Sequence, residues 1–205
     1  MPKKPPSESE RARQLLAQES ARIIVEKGMR DYGIAKSKAA DRLGLHKHGA
    51  LPGNAEIEQA IGEHLKLFSG DSHPDLLQRM RIAALSAMRL LADYSPRLVG
   101  PVLAGTADDN SAVNLHVFAD TSEEIALYLD DQGIDCRLYE RRLKARRGRN
   151  VRPDVFPGYR FQYDGEVVEA TVFPFDGIRQ APISPVDGKP MQRLDTKGLI
   201  ALLNA

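Results

Sequence analysis

The residues best placed to do chemistry lie in two short stretches and one charged run. The first stretch is Leu98 to Asp120, LVGPVLAGTADDNSAVNLHVFAD, in which Gly100-Pro101 precedes Ala112, Asn114 and His116. On an extended strand alternate side chains share a face, so Val113, Leu115 and Val117 form an apolar face, opposite Ala112, Asn114 and His116. The same alternation applied to Glu166 to Phe173 sets Val168, Ala170 and Val172 on a core face and leaves Val167, Glu169 and Thr171 on the other. An amide, an imidazole and one carboxylate can hydrogen-bond a ligand. Glu169 is equally compatible with a solvated strand position. The charged run, Arg141 to Arg152, holds seven basic residues and no acid. Arg141, Arg142, Arg146, Arg147 and Arg149 within it can grip phosphates of RNA, DNA or a nucleotide, or form a solvated loop. No aromatic residue interleaves with them, so base stacking is not indicated.

These residues need elements to position them, and the texture of the chain changes near Asp93 to Pro96. Ten of the twelve aromatic residues and eight of the thirteen prolines lie from Tyr94 onward. Aromatic residues favour strands and prolines their turns, which puts the sheet in the C-terminal half. Before it, helical spacing predicts helices over Arg11 to Gly28, Ala35 to Leu43, Asn54 to Phe68 and Leu76 to Leu91. After it, strands are expected at Leu98 to Leu103, Ala112 to Phe118, Ile134 to Tyr139, Tyr159 to Tyr163 and Glu166 to Phe173. Thr121 caps a helix running to Leu129, Asp164-Gly165 makes a hairpin turn, and Asp195 or Thr196 caps a last helix. The expected class is α+β. Residues 1–10 read as a disordered tail, 11–95 as a helical region and 96–205 as an α/β domain.

The spacing Gly100-Pro101, ten residues, then Ala112-x-Asn114 resembles the signature of the nucleotidyltransferase fold of the DNA polymerase beta superfamily. That family carries Gly-Ser or Gly-Gly, about ten residues, then Asp-x-Asp on a strand, with a third carboxylate on a later strand. The resemblance covers about Leu98 to Phe173 and implies a mixed sheet with flanking helices. It matches Glu169 to the third acid, with Ala112 and Asn114 where the metal-binding aspartates stand and Pro101 where a serine stands. Two Mg²⁺ ions need hard anionic oxygens. Alanine offers none, asparagine offers one neutral carbonyl, and Pro101 lacks the N–H that would face a phosphate. The vestigial motif therefore implies a protein without catalytic residues, metal or other cofactor. Such a chain would bind a nucleotide, RNA or protein partner through its cleft and basic loop. The alternative is an active nucleotidyltransferase using Mg²⁺, Glu169 and either Asp108 or Asp109, whose ordinary place is a solvated turn.

Composition narrows the remaining classes. A length of 205 residues suits one domain or two small ones, and a net charge of +1 means that any attraction to a polyanion is local. A single cysteine, Cys136, precludes an internal disulfide and fits a reducing cytoplasm; within its strand it reads as a small core residue. No signal peptide and no membrane span is expected, so a membrane is not among the anticipated partners. His46, His48, His64 and His73 fit no zinc spacing. Ile34 to Leu45, followed by the helix from Asn54, has the look of a helix-turn-helix and would make the chain a DNA-binding regulator. However, three glutamates precede the first lysine of that second helix, a poor surface for phosphates.

Overall fold

The structure is a computed structural model that describes residues 7–29, 31–45, 51–68, 72–146, 148 and 151–204. It is α+β, with helices first and then a mixed five-stranded sheet flanked by helices. Two compact units divide the chain: Met1–His73 with Pro185–Asp187, and Pro74–Ser184 with Gly188–Ala205.

In the first unit, α1 spans Glu8–Lys27, α2 Tyr32–Leu43 and α3 Asn54–Phe68. Residues 7–10, expected to belong to a disordered tail, instead start α1. Ser7 and Glu10 form a reciprocal capping box that satisfies two orphan N–H groups, and this fixes the helix start three residues earlier than the apolar pattern did. Residues 1–6 lie outside the described residues. Gly28 and Gly44 end α1 and α2 in the left-handed conformation. One side of α1 sets Leu16 and Ile23 against Ala35, Ala39 and Ala40 of α2. The other sets Ala17 and Ala21 against Ile57, Ala60, Ile61 and Leu65 of α3. Arg13 and Glu56 clasp α1 to α3 with a bidentate pair at 2.6–3.1 Å.

In the second unit, α4 (Ser72–Leu90) leads into β1 (Arg97–Val99), α5 (Pro101–Ala104), β2 (Val113–Phe118) and α6 (Ser122–Asp131). Then come β3 (Cys136–Leu143), β4 (Asp154–Tyr163), β5 (Glu166–Phe173) and α7 (Thr196–Leu203). Strand order is β1-β2-β5-β4-β3; β2 and β5 run parallel and the other neighbours antiparallel. The divide falls before Pro74, not after residue 95. Met80, Ala84, Met88 and Leu91, on α4 and just beyond it, belong to the same core as Val113, Leu115, Val117, Val168, Ala170 and Val172. Ile125 and Leu129 of α6 and Leu199 of α7 complete that face.

Three strand expectations are corrected. Leu98 to Leu103 is not one strand: β1 stops at Val99, Gly100 turns with φ 73° and ψ −153°, and Pro101 opens the four-residue α5. That backbone conformation is essentially open to glycine alone, and proline suits a first helical position. The third strand runs not from Ile134 to Tyr139 but over Cys136–Leu143, so Arg141 and Arg142 lie in a strand and not in a loop. β4 begins at Asp154 and not at Tyr159, because its first residues pair with β3 through Leu143↔Asp154. Pro157 is tolerated there because the β4–β5 pairs start only at Gly158. No helix among the described residues is long and apolar enough to cross a membrane.

Candidate anion-binding face of the sheet

The face of the sheet opposite α4, α6 and α7 gathers most of the residues singled out above. Across it, Val99, Asn114, Glu169, Arg160 and Arg137 stand in one register row on the five strands. The next row holds Arg97, His116, Thr171, Gly158 and Tyr139. Asn114 and Glu169 are thus direct neighbours on the two parallel strands of the sheet.

Asn114 is 3% exposed and both halves of its amide are used. Its Nδ2 donates to the Ala112 carbonyl at 2.9 Å, and its Oδ1 accepts from Arg141 Nη1 at 2.6 Å. The same Arg141 nitrogen lies 3.8 Å from Glu169 Oε2, while Arg160 Nη1 lies 3.5 Å from Glu169 Oε1. A guanidinium therefore stands between Asn114 and Glu169. Gly100 closes the motif from below, and a Cβ there would meet Asn114 Nδ2 at 3.3 Å. Pro101 contributes no N–H, and α5 is too short to present a helix terminus to an anion.

This donor set does not fit a divalent cation. Ala112 has no ligand atom, the Asn114 oxygen is already bonded to a cation, and Glu169 sits beside two guanidinium groups that would repel a metal ion. Asp108 does not supply the missing acid. Its Oδ1 accepts from Asn110 N and Ser111 Oγ at 3.0 and 2.8 Å, which holds it within its own turn. Asp109 is exposed in the same turn. Among the described residues no three acidic, histidine or cysteine side chains converge as a metal set.

His116 is 1% exposed and lies under the chain's own C-terminal segment. Arg193 Nε donates to His116 Nδ1 at 3.0 Å, and Arg193 Nη1 donates to Gly177 O at 2.7 Å. The Arg193 guanidinium rests 5.1 Å from the centroids of both Phe118 and Phe173. Ile178 and Met191 pack onto the cluster of Phe118, Leu143 and Phe173, and bridges Lys144↔Ile183 and Ile183↔Pro190 tie the segment to the end of β3. Ile178, Met191 and Arg193 thus cover this part of the face. Burial first, then Arg193 and Arg141, hold the His116 pKa well below its ordinary value, so the imidazole is neutral.

Toward β3 the face is open. On it Arg137 and Arg160 are exposed and Arg141 is partly so, Arg146 and Arg152 are exposed beyond the strand ends, and Arg142 is exposed on the opposite side of β3. Arg147 and Arg149 lie outside the described residues, as do His46 and His48. Tyr139 crosses the face and shares a hydrogen bond with Thr171 at 2.8 Å between the hydroxyls. Gly158 permits that path, since a Cβ there would come 2.5 Å from Tyr139 Cζ. Cys136 packs at the margin of the core, and burial pushes its thiol pKa up, away from nucleophilic use.

Sequence reasoning missed Arg160, Gly158, Tyr139 and Arg193. Alternation along Tyr159 to Tyr163 carries a signal for Arg160, which shares parity with no core residue. A glycine within a strand marks close approach, which was the available clue to Gly158. Nothing local points to Arg193.

No protein-family model matches the chain. No curated protein matches its sequence significantly.

Proposed function

We propose that the second unit is a nucleotidyltransferase-like module that has lost nucleotidyl transfer and binds RNA along its β3–β4 edge. The observation that carries the reading is the Arg141 guanidinium, which stands between Asn114 and Glu169 where the resembled motif needs metal-binding carboxylates. A fixed cation there makes the motif part of a basic surface instead of a metal clamp. Arg137 and Arg160 extend that surface in the row of Asn114 and Glu169, Arg146 and Arg152 continue it beyond the strand ends, and Arg142 adds charge on the other side of the β3 edge. An extended row of guanidinium groups suits the phosphates of a polymer. A nucleotide alone is served less well, because Asn114 and His116 are buried beneath the chain's own residues. The free thiol of Cys136 accords with a cytoplasmic setting.

Fluorescence anisotropy with a labelled single-stranded RNA, at about 50 and 200 mM salt, tests this. Replacing Arg137, Arg142 and Arg160 together by Ala should weaken binding steeply, with the log–log salt slope falling by about 0.7 for each phosphate that is no longer neutralised. RNA affinity unchanged by the triple replacement would sink the proposal. Tight binding of Mg²⁺–ATP with carboxylate ligation would instead favour the active-enzyme reading. Duplex DNA binding that survives deletion of residues 96–205 would favour the helical reader.

A further inference from the structure

Resting on the RNA reading, we propose that Glu169 determines which form of phosphate the arginine face accepts. Beside Arg141 and Arg160 it admits the singly charged phosphodiester of an RNA backbone and rejects doubly charged phosphates. Its carboxylate sits between two guanidinium groups, with Oε2 3.8 Å from Arg141 Nη1 and Oε1 3.5 Å from Arg160 Nη1. Both separations exceed the roughly 2.7–3.2 Å of a formed N–H···O hydrogen bond. The carboxylate therefore offsets charge without tying up the donors of either arginine. It is itself well covered, at 14% side-chain exposure, whereas Arg141 keeps 32% and Arg160 56%. A ligand arriving from solvent meets the two guanidinium groups first and the carboxylate behind them.

Charge decides which phosphate fits. Around the seat stand the guanidinium groups of Arg141 on β3 and Arg160 on β4 and the carboxylate of Glu169 on β5. The Asn114 amide on β2 is neutral, and so is the Tyr139 phenol, whose pKa burial pushes up. Two positive charges and one negative leave one charge to be balanced. A phosphodiester carries a single negative charge and balances it. Its two free oxygens suit the paired donors of a guanidinium. A phosphate monoester or inorganic phosphate carries about 1.5 to 2 negative charges at neutral pH. The excess faces the Glu169 carboxylate, and like charges a few ångströms apart repel strongly where water is partly excluded. Arg137, directly opposite Arg160 in the same row, continues the positive line for a further phosphate of the same strand.

Inorganic phosphate is the probe, titrated into the full chain at constant ionic strength and followed through the arginine Nε–H resonances. In the unaltered protein the Arg141 and Arg160 signals should stay in place. In Glu169→Gln they should shift saturably, with phosphate held at least about tenfold tighter than by the unaltered protein. Adding Arg160→Ala to that variant should abolish the gain. Glu140→Gln removes an exposed acid on the other side of β3 and should not reproduce it. RNA affinity should rise by a smaller factor in Glu169→Gln, because each phosphodiester carries one charge. The proposal is overturned by no gain for phosphate, by an equal gain in Glu140→Gln, or by an RNA gain as large as that for phosphate. If Glu169→Gln does not fold, the unaltered protein decides. A short RNA should then bind equally well with a 5′-hydroxyl and a 5′-phosphate, and tighter binding of the phosphorylated form refutes the role. A missing phosphate gain beside intact RNA binding removes this role of Glu169 alone, whereas missing RNA binding removes the reading it rests on.

Discussion

At the level of single residues, two positions have consequences that a neighbour's chemistry sets. Gly158 has no side chain because the ring of Tyr139 occupies that space on its way to Thr171. Gly158→Ala should therefore cost about 1–3 kcal/mol in urea unfolding, by overpacking and by displacing the tyrosine. In a Tyr139→Ala background the same change should cost far less. A double-mutant cycle showing simple additivity would disprove that account. His116 has a pH consequence. The fold holds its pKa well below the ordinary 6.5, through burial first and the two arginines second, whereas the unfolded chain takes up a proton near 6.5. The neutral ring's contribution is thus complete above pH 6.5 and is lost as pH falls below it, by up to about 1.4 kcal/mol per pH unit. Stability measured from pH 7.5 down to 5 should show this slope, and His116→Phe should flatten it.

At the level of elements, the junction of β1 with α5 sets the geometry of the emptied motif. Gly100 is needed there for its backbone conformation and for its approach to Asn114. Gly100→Ala should destabilise the protein by about 1–3 kcal/mol, a shift visible in the denaturant midpoint without a change in its slope. The motif glycine thus has a structural role that does not depend on whether a phosphate ever binds. The β3–β4 hairpin is the other informative element. Its arginines were legible as a charge run, but their secondary structure was not, because Arg and Glu are weak strand formers and mask the alternation of Cys136–Leu143. Pairing with β4 overrides that local preference; it puts Arg137 and Arg141 on the face of Glu169, which Arg141 reaches, while Arg142 faces the other side.

At the level of the molecule, the second unit carries a core of its own, built from α4, the sheet, α6 and α7. A fragment of residues 74–205 should unfold cooperatively with native-like near-ultraviolet circular dichroism. A fragment starting at residue 96, lacking Met80, Ala84, Met88 and Leu91, should not, since it exposes the apolar side of the sheet. The texture change at Tyr94 marks where strands begin, and the core marks where the unit begins. These differ because a helix can belong to a sheet's core without any local sign of it.

Much of the architecture is local in origin. Helical spacing, the caps at Asp31, Thr121 and Asp195, the glycines after α1 and α2, and the Asp164-Gly165 turn are determined by neighbours in the chain. Alternation alone put Asn114, His116 and Glu169 on faces away from the core, and composition alone revealed the arginine run. Tertiary structure decided what those residues meet. Arg141 reaches Asn114 across 27 positions of chain and Arg193 reaches His116 across 77, distances over which no periodicity carries information. The register of β2 against β5 and of β4 against β3 brings such residues together, because hydrogen-bonded strands align whatever the folded core has already brought side by side.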